Sequence, residues 1–201
     1  MILYNQAKQR RKQSMIEIRK GGTLRTTWEE LKINIKNNTS SLNVGDELDI
    51  VLKTGENVTL VCEYVGYKYT TFFTKNLLED THCMNENWGA DNEKCLSTMG
   101  SYLSKLFYLL PDDLQKVVTG PLRLLHEREV FGKDEYGEKE GYETLPRYLK
   151  KENRIKTLSG IPFPYWVTST NSEIFPIVSK DGDKSELSAS DGCGVCFGFD
   201  I

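Results

Sequence analysis

The sequence predicts an α+β fold, a compact single domain of mixed or antiparallel strands with two to three helices. Three observations predict it. Glu47 to Val65 alternates apolar and polar residues on both sides of a Gly turn. Two stretches, beginning near Trp28 and Ser97, space their apolar residues for a helix instead. The C-terminal part returns to short strand-like runs punctuated by Gly and Asp.

Size and charge bound the rest. A chain of 201 residues is expected to form one domain and to bury roughly 70% of its unfolded surface. Hydrophobic residues at 38% and charged residues at 27% are an ordinary globular balance. The net charge of −3 hides an asymmetry. Residues 1–22 carry Lys8, Arg10, Arg11, Lys12, Arg19 and Lys20 against Glu17 alone. They read as a basic N-terminal arm, closed by Gly21-Gly22, ahead of a domain at 23–201. The acidic body has no global attraction to nucleic acid, which leaves the arm as the part suited to phosphate or an acidic partner. No apolar run reaches the about 18–20 residues of a membrane helix, so no membrane partner is expected. Met1 to Asn5 also lacks the pattern of a secretory leader. Five cysteines, an odd number, point to free thiols in a reducing, cytoplasmic compartment.

Taken in order, residues 4–20 are polar, with a short apolar stripe of Met15, Ile16 and Ile18 that allows a helix. Thr26-Thr27-Trp28-Glu29-Glu30 reads as a helix start, with a Thr N-cap and acids in the first turn. Trp28, Leu31 and Ile35 then share its core face. A hairpin follows, Leu48, Ile50 and Leu52 pairing across Thr54–Asn57 with Leu60, Cys62 and Tyr64, and a third strand is expected over Tyr69–Thr74. Glu79 to Cys95 reads as a long loop, a class that is often functional. Met99, Leu103, Leu106 and Leu110 mark the next helix, stopped by Pro111-Asp112-Asp113, which opens a short one. A strand is expected over Leu122–Val130, an exposed charged stretch over Gly132–Gly141, and a helical turn or two near Leu145–Leu149. Strands at Tyr165–Ser169, Ile174–Ser179 and Val195–Ile201 close the chain.

The residues that carry chemistry are few. Cys193 and Cys196 have the two-residue gap of a zinc or redox pair, and His82, Cys83 and Cys95 are the residues that would complete four ligands. Against this, the pair runs into a strand and has no second such pair, so free, mostly buried thiols are the stronger expectation and no cofactor is expected. The chain has two histidines, His82 and His126, and no Gly-x-Ser-x-Gly, which leaves little for a hydrolytic triad. No Gly-rich phosphate loop, dinucleotide fingerprint or calcium loop appears. The remaining candidates are aromatic: Tyr67, Tyr69, Trp88 and Tyr165 as binding residues, with Trp28 and Trp166 assigned to the core.

The run Tyr165-Trp166-Val167-Thr168-Ser169-Thr170 resembles the Trp-Leu-Arg-Ser-Pro strand of an uncharacterised domain family of Gram-positive gut bacteria and their phages. Ile174–Ser179, Asp181-Gly182 and Gly194–Ile201 stand where that family has a strand, a Gly turn and a closing Gly-Val-Arg-Pro-type strand. Val44-Gly45-Asp46, the hairpin across Gly55, Trp88, the segment Leu103–Leu114, Phe131-Gly132 and Asn153-Arg154 extend the likeness over about residues 26–201. Thr168 and Cys196-Phe197 replace the family's arginine and Arg-Pro, so no role of those arginines carries over. The family is similar to the C-type-lectin-like fold of formylglycine-generating enzymes and phage receptor-binding proteins, and no residues here match the formylglycine chemistry.

The resemblance and the absent catalytic motifs together imply a non-catalytic binding or structural module, phage- or prophage-derived, that meets a protein or glycan through loops. A homo-oligomer and incorporation into a virion are compatible with this reading. The alternative is a cytoplasmic phage-encoded inhibitor of a host defence protein, for which a small acidic body is suited. A zinc- or thiol-dependent hydrolase is the further alternative.

Overall fold

The computed structural model describes residues 14–19, 23–86, 98–132, 143–169 and 175–201. Within them the strands are β1 (Ile16–Arg19), β2 (Thr23–Thr26), β3 (Glu47–Val51), β4 (Asn57–Val65), β5 (Thr70–Thr74), β6 (Thr119–Leu124), β7 (Thr157–Leu158), β8 (Ile161–Pro162), β9 (Tyr165–Trp166), β10 (Pro176–Val178), β11 (Lys184–Glu186) and β12 (Phe197–Asp200). The helices are α1 (Trp28–Lys36), α2 (Thr98–Phe107), α3 (Asp112–Gln115) and α4 (Glu127–Phe131), and 3-10 turns cover Pro146–Leu149 and Lys151–Arg154. The fold is α+β with a mostly antiparallel sheet.

One seven-stranded sheet, in the order β2-β1-β3-β4-β5-β12-β6, organises the domain. Its paired strands are antiparallel throughout. The β3–β4 hairpin forms as its alternation requires, pairing Leu48 with Leu60 and Ile50 with Val58. The last strand of the chain, β12, is inserted between β5 and β6. That placement joins residues far apart in sequence and leaves β6 as an edge strand.

Side chains alternate across a strand, so each strand feeds two faces. Leu60, Cys62, Phe72, Phe197 and Phe199 enter the larger core with Trp28, Leu31 and Ile35 of α1 and Met99, Leu103 and Leu106 of α2. Trp28 meets Phe72 edge to face at 6.2 Å, and Phe72 stacks on Phe199 at 5.9 Å. The intervening Phe73 and Cys196 join a second cluster with Val130, Leu145, Tyr148, Tyr165 and Val178. Helix α1 starts where expected. Thr27 Oγ1 accepts from the Glu30 amide at 3.2 Å, and Glu30 Oε2 accepts from the Thr27 amide at 3.1 Å. Such a reciprocal cap contributes about 1 kcal/mol.

Three expectations need correction. The strand read over Leu122–Val130 ends at Leu124, and α4 starts at Glu127. His126 caps that helix with its ring nitrogen, and Glu129 returns the bond to the cap amide, so a local capping box overrides the apolar alternation. Gly132, at φ 77°, closes α4 in a left-handed conformation. The count of two to three helices is accordingly four among the described residues. Lastly, Ile16–Arg19 belongs to the sheet and not to an appended arm or helix. Ile16 and Ile18 are buried while Glu17 and Arg19 point outward, the period of a strand, and Arg19 pairs with Asp49 on β3. The domain therefore begins before residue 23; residues 1–13 and 20–22 lie outside the described residues.

Candidate functional site

The β4–β5 turn builds one wall of the site. The Gly66 amide donates to the Tyr69 carbonyl at 3.0 Å, which leaves Tyr67 and Lys68 at the tip. With glycine at 66 the Tyr64 ring can lie close over the turn, since a Cβ there would be 2.5 Å from its Cε1 and 2.9 Å from its hydroxyl oxygen and would push the ring aside. The Tyr64 ring thus folds over the turn and meets the Tyr69 ring, centroids 5.2 Å apart. Tyr67 is 73% exposed and Tyr69 45%. Burial first, then the neighbouring Tyr64 and Asp200, raise the pKa of the Tyr69 hydroxyl, so it remains a hydrogen-bond donor at neutral pH.

Register builds the floor. Tyr64 aligns with Thr71, Thr71 with Asp200, and Asp200 with Thr119. On the neighbouring rung Val61 aligns with Phe73, Phe73 with Gly198, and Gly198 with Arg123. The Thr71 hydroxyl donates to Asp200 Oδ1 at 2.6 Å. The Arg123 guanidinium lies over the Phe73 ring, 4.8 Å from its centroid. It donates Nη1 to Glu129 Oε2 at 2.7 Å and Nη2 to Oε1 at 2.8 Å. Tyr64, Tyr69, Thr71, Arg123, Glu129 and Asp200 line an open depression of about 460 Å³, together with Glu143 and Leu145. That volume falls within the range of small-molecule pockets, about 300–1,000 Å³.

The depression offers two aromatic faces, a hydroxyl, and the Asp200 carboxylate. Both Glu129 oxygens are held, by Arg123 and by the His126 amide at 2.7 Å, so this carboxylate serves as a support. The arrangement combines stacking surfaces with hydrogen-bonding groups.

Of the binding residues read from the sequence, Tyr69 lines this depression, and Tyr67 stands at the exposed tip of the same turn. Tyr165 does neither, and that expectation is corrected. Its side chain is wholly buried, and its hydroxyl donates to the Arg154 carbonyl at 2.9 Å; with Val167 and Val178 beside it, the ring packs inside the second cluster. Trp88 lies outside the described residues. Asp200, Thr71, Arg123 and Glu129 were not singled out. Their one sequence signal is the polar residue alternating with aromatics in Phe197-Gly198-Phe199-Asp200 and Thr71-Phe72-Phe73.

The sulfur-bearing candidates are dispersed. His82 and Cys193 pair through their backbones, at 2.9 and 3.1 Å. The His82 ring stacks on Tyr102 at 3.6 Å, whose hydroxyl burial pushes up to about 12. Cys193 lies in the larger core and Cys196 in the second cluster. Burial pushes the Cys193 thiol up to about 12 and raises Cys196 as well, so both are protonated and unreactive near neutral pH. Cys83 is half-buried and free, and Cys95 lies outside the described residues. Among the described residues no three His, Cys, Asp or Glu side chains converge on a metal position.

A buried charged cluster braces the segment that carries Tyr148 and Tyr165. Lys156 is buried and donates to the Thr74 and Lys75 carbonyls at 2.6 and 3.1 Å. Glu63 is buried too, with Oε1 2.9 Å from Arg147 Nη1. Burial raises Glu63 above the ordinary glutamate range, against the pull of Lys156 and Arg147. The cluster ties residues 147–156 to β4 and β5.

No family model matches the chain, and comparison with curated proteins and with solved structures gives no match either.

Proposed function

We propose that this chain is a non-catalytic recognition module that holds a protein or glycan ligand in the depression bordered by Tyr64 and Tyr69. One observation carries the reading. Two tyrosine rings, a hydroxyl and a carboxylate surround an open space, while the groups beside them are fixed by Arg123 and Glu129. Tyr67 adds an exposed apolar edge next to it, the kind of anchor that dominates contact surfaces. The likeness to C-type-lectin-like scaffolds and the phage or prophage origin belong to the same proposal, as does synthesis in the cytoplasm. Among the described residues no helix is long and apolar enough to cross a membrane.

The test compares wild type with Tyr69→Ala on a glycan array and in pull-downs from host cells. Retention by wild type and loss by the variant support the reading. Silence from wild type in both formats would refute it. The inhibitor of a host defence protein is kept as a second reading for one reason. Among the described residues the depression is lined by Asp200, Glu129 and Glu143 against the cation Arg123, and acidic surfaces can occupy sites built for phosphate.

A further inference from the structure

This sheet face already holds one guanidinium, its own. Arg123 rests on the Phe73 ring and is gripped edge-on by both oxygens of Glu129. The geometry is that of a planar cation, with an aromatic face beneath and a bidentate carboxylate at the side. It is possible because Gly198 separates Phe73 from Arg123 on the rung; a Cβ there would run into the Phe73 ring carbons.

The next rung repeats the components without an arginine. Tyr64 on this rung and Tyr69 from the adjoining turn supply aromatic rings, and Asp200 on β12 supplies a carboxylate from the sheet itself, where Arg123 takes its carboxylate from α4. Thr71 donates to Asp200 Oδ1 and so turns the carboxylate into a fixed position on the floor. Around this half of the depression the charges do not balance. Arg123 is matched by Glu129, which leaves Asp200 and Glu143 as net negative charge among the described lining residues. An anionic ligand meets like charge here, and a neutral sugar leaves the charge unanswered. A guanidinium answers it and lies flat on a tyrosine ring as it does so.

We infer that the depression takes an arginine side chain presented by a partner protein, seated on Tyr64 and Tyr69 and bonded to Asp200 as Arg123 is bonded to Glu129. This deepens the recognition reading and rests on it, choosing protein over glycan as the ligand. Tyr67, exposed beside the opening, then contacts the partner's surface around that arginine.

The experiment uses the full chain and two probes of equal shape, N-acetyl-L-arginine amide and its uncharged counterpart N-acetyl-L-citrulline amide. Backbone amide shifts of Tyr69, Thr71 and Asp200 are followed by NMR during titration. The arginine probe is expected to move these amides with millimolar affinity, at least tenfold more tightly than citrulline. Asp200→Asn is expected to abolish that preference, and Tyr69→Leu to weaken arginine binding several-fold, with both variants checked for an otherwise unchanged spectrum. Raising salt to about 1 M, where the screening length is about 3 Å, is expected to weaken arginine binding while leaving citrulline as it was. Equal shifts by the two probes, or none by arginine up to tens of millimolar, overturn the inference. If methyl N-acetylglucosaminide moves the same amides while arginine does not, the arginine claim falls and the recognition reading stands. If the glycan and protein screens are silent as well, both fall.

Discussion

Gly198→Ala is the perturbation that tests the sheet face most directly. A Cβ at this position would collide with Cδ1 and Cε1 of Phe73 and lie 2.6 Å from the Phe72 carbonyl oxygen. Carbon and carbonyl oxygen ordinarily approach to about 3.3–3.6 Å, so the pairing of β12 with β5 must open by about 0.7–1 Å. Neither neighbour has room. Phe73 is wholly buried, with Arg123 resting on it, and β12 is held on its other side by β6. Overpacking of a filled interior costs about 1–3 kcal/mol, and a backbone collision puts this case at the upper end. The conformational gain of alanine over glycine returns about 0.5–1 kcal/mol. The expected net loss is about 2 kcal/mol, or about 1 M in the urea midpoint if the denaturant slope is about 2 kcal/mol per M. Fluorescence of the buried Trp28 and Trp166 reports the transition. Phe73→Leu should soften the collision, so the double variant should lose less than the two single losses added. A Gly198→Ala midpoint within 0.3 M of wild type would refute the argument that close approach requires glycine here.

Removing the buried hydroxyl in Tyr165→Phe should cost about 1 kcal/mol in urea unfolding, because the Arg154 carbonyl loses its 2.9 Å donor; Tyr67→Ala, at an exposed tip, should stay within about 0.5 kcal/mol. Lys156→Met should cost about 3–5 kcal/mol, since it strips two carbonyls of their donor and Glu63 of a nearby counter-charge. Glu63 is raised by burial, so its contribution is present below the ordinary value of about 4.3 and lost as the pH rises through its folded value; the Lys156→Met deficit should therefore grow between about pH 4.5 and 7, and a constant deficit would count against the coupling. His82 is shifted the other way, lowered by burial, with Nε2 lacking a hydrogen-bond partner among the described residues. Its contribution is present above about 6.5 and lost as the pH falls through the folded value, so the urea midpoint should drop between about pH 7 and 5, and His82→Phe should remove part of that slope.

The elements that local chemistry decides were legible in the chain. Thr27 and Glu30 cap α1 by reaching three residues, and the β3–β4 hairpin pairs residues across a short turn, so spacing alone identifies both. The β6–α4 junction was also local, with Glu129 three residues after His126, but histidine is a rare helix cap and the apolar run through Leu124 and Leu125 reads as a continuing strand. Ile16 and Ile18 carried a period of two that a brief helical reading passed over. Tyr165 stands among apolar residues in sequence as in space, and its burial depends on a 3-10 segment folding back to offer the Arg154 carbonyl. The site is another matter. Thr71 and Asp200 are 129 positions apart, and nothing in either strand states that the chain's last strand inserts beside β5.

That insertion explains how the floor of an open depression takes its position from the core. Phe197 and Phe199 anchor β12 into the larger core, and the pleat then turns Gly198 and Asp200 onto the opposite face. The Asp200 carboxylate therefore takes its position from two aromatic side chains it never touches, and Thr71 is fixed in the same way by Phe72. A one-residue slip of β12 would take both phenylalanines out of the larger core and turn the carboxylate into it. The geometry of the proposed site and the folding of the sheet are thus coupled through register. Asp200→Asn changes the charge of the site and leaves the core intact, whereas Phe199→Ala should damage the site as strongly as any substitution within it.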